Sequence, residues 1–153
     1  MIKVLFVCLG NICRSPMAEA IFKHLVEQEG LADRFQIDSV GTGDYHVGDP
    51  AHPGTRQVLA AHSIRCDSIA RQLNHQDLAE ANYLIAMDES NVRDIQRVGR
   101  TNGQLHLLLD FAENSPTREV PDPYFTGNFE RVYQLVKAGC EGLLAHIRQE
   151  QGV

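Results

Sequence analysis

The stretch from Val4 to Ala20, VLFVCLGNICRSPMAEA, sets an apolar run against a cysteine, then a tight polar curl, then a helical pattern. Val4, Leu5, Phe6 and Val7 are uninterrupted, as in a strand covered on both faces. Ser15 suits a helix N-cap and Pro16 a first helical position. Burial accounts for the strand and the helix. It does not account for a thiol (Cys8), an amide (Asn11), a guanidinium (Arg14) and a hydroxyl (Ser15) crowded into the corner between them.

Backbone N–H groups of such a loop, and of the helix's first turn, converge on a point near Cys8 and make a nest for an anion at the positive end of the helix. Gly10 and Asn11 are residue types that tolerate the left-handed backbone a tight curl needs. Arg14 adds a planar fork matched to two oxygens of a phosphate. A thiol in that field favours its thiolate form. The loop that holds a phosphoryl group therefore also prepares the sulfur that attacks it. Other readings fit less well. A lone cysteine after an apolar strand is most often a small buried hydrophobe, but that leaves Arg14 and Ser15 unexplained. Cys8 and Cys13 lack the second close pair or the spaced histidines of a zinc site. A nucleotide P-loop would need a Gly-Lys-Ser/Thr ending.

The whole chain of 153 residues suits one domain, residues 1–153. With 43% hydrophobic and 22% charged residues it reads as a globular protein. It has no apolar run of membrane-spanning length, and MIKVL opens a strand, not a signal peptide, so the expected location is cytoplasmic, with no membrane partner. Its four cysteines are then expected as reduced thiols. A net charge of −6 argues against nucleic-acid binding, so a positive field for an anionic ligand must be local.

Short apolar runs at Ile2–Val7, Phe35–Val40, Tyr83–Ala86 and Gln104–Leu109 alternate with helical periods, the pattern of parallel strands joined by helical crossovers. The helical stretches are Pro16–Gln28, Gly54–His62 and Glu89–Arg97, with a short helix begun by Asn74 and favoured by Asp77. In the last helix Phe129, Val132, Tyr133, Val136, Cys140, Leu143, Leu144 and Ile147 form one stripe. The segments 41–53 and 114–128 are loops rich in Gly, Pro, Asp and Asn. In an open parallel sheet the ligand crevice lies beyond the strands' carboxyl ends, where Cys8 stands and both loops can form a rim. Within the second loop Asp122 sits between Pro121 and Pro123, which stiffen it, and Tyr124 and Phe125 offer flat apolar walls.

CLGNICRS closely resembles the signature of the low-molecular-weight protein-tyrosine phosphatases, whose Cys-x5-Arg-Ser loop cradles phosphate. SPMAEAIF, DSVGTGDYHVG, IARQL, IAMDESNVRDI and DPYF resemble further blocks of that family in the family's order. The resemblance implies a three-layer α/β fold: a four-stranded parallel sheet with helices on both faces and the phosphate loop between the first strand and first helix. It implies hydrolysis of phosphotyrosine and aryl phosphates through a phosphocysteine, with no metal and no cofactor. Cys8 is then the nucleophile, Arg14 the clamp, Ser15 the stabiliser of the thiolate and Asp122 the general acid. Leu9, Gly10, Asn11, Ile12 and Cys13 surround the substrate, with Tyr45 facing Tyr124 and Phe125 across the slot. Asn11, Ser39 and Asp88 support the loop, although Asp88 reads equally as a helix cap. The implied partners are phosphotyrosine proteins, a tyrosine kinase or its substrates among them, with inorganic phosphate as product.

Two departures stand out. His52-Pro53-Gly54 replaces a common Asp-Pro-Arg, and Ser68 stands where a histidine commonly braces the loop asparagine, so a rearranged brace is expected. Three rivals share the scaffold. An arsenate reductase needs two relay cysteines, one just after the third strand, and residues 82–97 contain none. A phosphoarginine phosphatase of this kind carries a loop threonine where this chain has Ile12. A silent phosphate-binding module has no need of Cys8, Arg14, Ser15 and Asp122 together. Cys13 reads in two ways, as a thiol that captures oxidised Cys8 and makes the enzyme redox-sensitive, or as packing behind the loop.

Overall fold

The computed structural model describes residues 1–153. The four apolar runs pair as one parallel sheet, β1 Ile2–Cys8, β2 Phe35–Gly41, β3 Tyr83–Ala86 and β4 Gln104–Leu107, in the order β2-β1-β3-β4. Cys8 stands opposite Gly41 on one side of β1, and Val7 opposite Ala86 on the other. The chain leaves β1 toward one neighbour and returns to the other. The crevice such a reversal opens lies beyond the end of β1, and Cys8 ends that strand.

Helices α1 Arg14–Gln28, α2 Pro53–Ala61 and α6 Phe129–Gln151 cover one face, and α3 His75–Glu80 and α4 Glu89–Val98 the other. Alternation along β1 drives this layering. Val4, Phe6 and Cys8 enter the core shared with Met17, Phe22, Leu59 and Val136, while Leu5 and Val7 meet Leu78 and Ile95. Phe22 packs edge-on between Phe6 and Phe35, with ring centres 5.6 and 5.7 Å away. Each such fully buried side chain stabilises the fold by about 1.5–3 kcal/mol. Asn74 and Asp77 close the expected capping box on α3, and Asp88 with Asn91 closes another on α4. No helix is long and apolar enough to cross a membrane.

Three boundaries differ from the sequence reading. Helix α1 begins at Arg14 with Cys13 at its N-cap position and no side-chain cap, so Ser15 is not the cap; its hydroxyl is taken by the site described below. The run Gln104–Leu109 does not stay extended: β4 ends at Leu107, and Leu108–Phe111 form a 3-10 turn. Leu108 and Leu109 are buried because Gly139 and Gly142 let α6 close on the turn. A Cβ on Gly142 would lie 1.8 Å from the Phe111 carbonyl oxygen. Within the loop 114–128, Pro123–Thr126 form a single-turn helix, α5, which Asp122 caps.

Candidate active site

The residues between β1 and α1 owe their shape to the segment after β2. The carbonyls of Cys8 and Leu9 accept from the N–H groups of Thr42 and Gly43, both at 2.9 Å. The Ile12 carbonyl accepts from His52 N–H at 2.8 Å, and that of Cys13 from Thr55 Oγ1 at 3.1 Å. With no cis peptide in the chain, each outward carbonyl turns the next residue's N–H inward. Leu9, Gly10, Cys13 and Arg14 thus present their N–H groups to the loop's centre. Of the two residues suited to a left-handed backbone, Asn11 adopts it, at φ 57°, and Gly10 does not. Gly41 is required for the close approach, since a Cβ there would meet the Leu9 oxygen at 2.7 Å.

Cys8 Sγ lies at that centre. Asn11 N–H donates to it at 3.3 Å, and Ser15 Oγ stands 3.0 Å away. The Asn11 side chain does not line the cavity; it is buried behind the loop as a strut. Its Nδ2 donates to Ser15 Oγ at 2.8 Å and Ser39 Oγ at 2.9 Å, and its Oδ1 accepts from Arg71 N–H at 3.1 Å. Arg71 is itself held by Asp38 and Asp77. Ser68 lies 3.3 Å from Ser39, and the principal acceptor for Ser39 is Glu19, at 2.5 Å. Sequence reading missed Glu19. The available signal was its place four residues after Ser15, on the same face of α1.

Arg14 is buried, with Nη1 donating to Asp88 Oδ2 at 2.6 Å and to the Val120 carbonyl at 3.0 Å. Its Nη2 stands 3.6 Å from Asp122 Oδ2. Burial disfavours the Arg14 charge, but Cys8, Asp88 and Asp122 outweigh it and hold the guanidinium above its ordinary range. Asp88 proves to be both cap and support, because its other oxygen accepts from Asn91 N–H at 2.8 Å. Val120 is tied to the end of β3 through the Met87 carbonyl at 2.9 Å, which fixes the loop that carries Asp122. Asp122 Oδ1 accepts from Tyr124 N–H at 3.1 Å.

These groups open on a cavity of about 290 Å³. Cys8, Cys13, Arg14 and Asp122 line it with Leu9, Gly10, Ile12, Tyr45, Tyr124 and Phe125, as the sequence suggested for each, and His46, which it did not single out. Tyr45 and Phe125 are 73% and 78% exposed, so they form its rim, not its floor. Asn11, Ser15, Ser39 and Asp88 stand behind the wall. His52 accepts from Gly54 N–H at 3.0 Å to cap α2, and its ring stacks on Phe129 with centres 5.0 Å apart. Cys13 is a free thiol packed with Ile12 and Ala70, and burial pushes it up to about 12, with Asp122 and Cys8 adding to the rise. Cys66 and Cys140 lie away from the cavity, with Cys140 buried on the α6 stripe as expected.

Residues 3–152 match the family model described as low molecular weight phosphotyrosine protein phosphatase. The chain is 50% identical to the Bacillus subtilis low molecular weight protein-tyrosine-phosphatase YfkJ, with 99% of each covered. It is 44% identical to the Staphylococcus epidermidis low molecular weight protein-tyrosine-phosphatase PtpA, with 96% of this chain and 94% of that one covered. The crystal structure of Bacillus subtilis YfkJ superposes with a TM-score of 0.95 at 50% identity, covering 98% of this chain and 96% of that one. The Drosophila arginine phosphatase DARP superposes at 0.89 with 34% identity, covering 96% and 98% respectively.

Proposed function

The chain belongs to the low-molecular-weight protein-tyrosine phosphatase family and is a protein-tyrosine phosphatase, and we propose that Cys8 is its nucleophile, Arg14 its phosphate clamp and Asp122 its general acid. One observation carries this reading: Cys8 Sγ, Arg14 and Asp122 share a single cavity, with inward N–H groups around the sulfur.

In the first step the Cys8 thiolate attacks phosphorus; an S–P bond forms as the bond to the tyrosine oxygen breaks, and Asp122 hands its proton to the departing phenolate. Arg14 and the loop N–H groups bear the charge that spreads over the phosphoryl oxygens. In the second step Asp122, now a base, takes a proton from water. The water oxygen bonds to phosphorus, the S–P bond breaks, and phosphate leaves with Cys8 again a thiolate stabilised by Ser15. Ile12 on the wall favours a phenyl ring over a guanidinium, so phosphotyrosine is the better substrate than phosphoarginine. The substrates are phosphotyrosine proteins, candidates being a tyrosine kinase or its targets, met in the cytoplasm by a single domain spanning residues 1–153.

The test is turnover of an aryl phosphate, a phosphotyrosine peptide and a phosphoarginine peptide by wild type and Cys8→Ser. Loss of the nucleophile should cost at least about 10³-fold in kcat, with the fold retained. Phosphate trapped on any residue other than Cys8 would defeat the assignment, and unimpaired turnover by Cys8→Ser would do the same.

A further inference from the structure

We infer that Glu19 and Lys23 are positioning residues: an ion pair behind the phosphate loop, its carboxylate buried and its ammonium half exposed, fixes the direction of the hydrogen bonds that end on Cys8. The inference rests on Cys8 being the reactive sulfur. The chain of contacts runs from Lys23 Nζ to Glu19 Oε2 at 2.6 Å, from Glu19 Oε1 to Ser39 Oγ at 2.5 Å, and on through Asn11 and Ser15 to Cys8.

A hydroxyl has one proton, and an ionised carboxylate only accepts. Glu19 therefore claims the Ser39 proton, and toward Asn11 Ser39 can only accept. That fastens one Asn11 Nδ2 hydrogen, while Arg71 N–H fastens Oδ1 from the other side. The second Nδ2 hydrogen goes to Ser15, which must then send its own proton onward. Cys8 Sγ at 3.0 Å is nearer to it than the Val40 carbonyl at 3.4 Å. A thiolate thus receives two donors, Asn11 N–H and the Ser15 hydroxyl, and the aim of the hydroxyl depends on Ser39 acting as an acceptor. Linked bonds of this kind polarise one another inside a protein.

Glu19 is 6% exposed, and its one cationic partner is Lys23. An ordinary exposed pair at this helical spacing contributes only about 0.2–0.5 kcal/mol. Here the carboxylate is buried and its second oxygen is already committed to Ser39. Removing the ammonium leaves that charge unpaired. The carboxylate then turns into the polar cleft it lines with His24, Glu27, Arg65 and Ser68. The Ser39 proton is released toward Ser68, 3.3 Å away, and the brace loses its direction. The charged and titratable groups that share the cavity with Cys8 are Arg14, Asp122, Cys13, His46, Tyr45 and Tyr124, with Asp88 behind Arg14, and the one ion pair of Lys23 is to Glu19.

The experiment follows the pH dependence of Cys8 alkylation by iodoacetamide, read by mass on the Cys8 peptide. Burial pushes the thiols of Cys13, Cys66 and Cys140 up, so they compete little near neutrality. Lys23 is about half exposed and its replacement leaves the core intact. Lys23→Met is expected to move the alkylation midpoint upward by about one pH unit, roughly tenfold less thiolate at a fixed pH below it. kcat on a phosphotyrosine peptide should fall with it. Lys23→Arg should restore both, and Glu19→Gln, whose amide can donate toward Ser39, should reproduce the loss. A Lys23→Met protein with the wild-type alkylation profile, whatever its melting temperature, overturns the inference, as does failure of Lys23→Arg to rescue. The profile reads the sulfur without turnover, so an unchanged profile condemns the brace, whereas an active Cys8→Ser condemns the nucleophile assignment.

Discussion

Asp122 holds one carboxylate oxygen 3.6 Å from Arg14 and uses the other to accept Tyr124 N–H at 3.1 Å. Asparagine keeps that capping acceptor but cannot donate the proton the leaving group needs. Asp122→Asn should therefore fold normally and slow hydrolysis of phosphotyrosine by about 10²–10⁴-fold. An aryl phosphate with a strongly acidic phenol should slow far less, since its leaving group scarcely needs protonation. Equal losses on both, measured as kcat, would move the acid elsewhere. Asp122 stood out in the sequence because two prolines stiffen its loop, and the resemblance of DPYF to a family block gave it the acid's part. Glu19 was not: a glutamate on an amphipathic helix looks like a solvated surface residue until the fold puts Ser39 against it.

At the scale of elements, the His52-Pro53-Gly54 departure is a packing device. Pro53 and the His52 cap start α2, and the His52 ring lies on Phe129 at the start of α6. Gly54 makes room for that ring, since a Cβ there would meet Phe129 Cε2 at 2.5 Å. Alanine in a helix gains up to about 1 kcal/mol over glycine, but overpacking costs about 1–3 kcal/mol, so Gly54→Ala should be net destabilising in denaturant melts. Adding Phe129→Ala should cancel the penalty; additive losses in the double variant would show that the two positions do not meet. The same logic explains which elements the sequence displayed. The strands and the α6 stripe follow from local periodicity. The end of β4 depends on how closely α6 approaches through Gly139 and Gly142, and the start of α1 on where the Ser15 hydroxyl is needed. No local pattern reports either.

Across the whole molecule, the sheet order places β1 where the crossovers part, and three segments remote in sequence meet beyond it. The phosphate loop supplies Leu9 and Ile12, the segment after β2 supplies Tyr45, and the loop before α6 supplies Tyr124 and Phe125. Cys8 is 3% exposed at the inner end of this cavity, while the aromatic rim stands in solvent. A phosphate on a phenyl ring spans that depth with its ring against apolar walls. Phosphoserine lacks the ring, so its phosphorus reaches the sulfur only if the peptide backbone enters a space bounded by Tyr45 and Phe125. Efficiency on phosphoserine peptides should be lower by at least about 10²-fold, the scale of a misplaced reacting atom. Truncating the rim with Tyr45→Ala and Phe125→Ala removes aromatic contacts worth about 0.5–1.5 kcal/mol each. Each change should raise KM for a phosphotyrosine peptide roughly 2- to 13-fold, with kcat held because Cys8, Arg14 and Asp122 stay in place. Comparable kcat/KM on phosphoserine and phosphotyrosine peptides of one sequence would mean that Cys8 is reached without the slot, and the rim would then have no part in choosing the substrate.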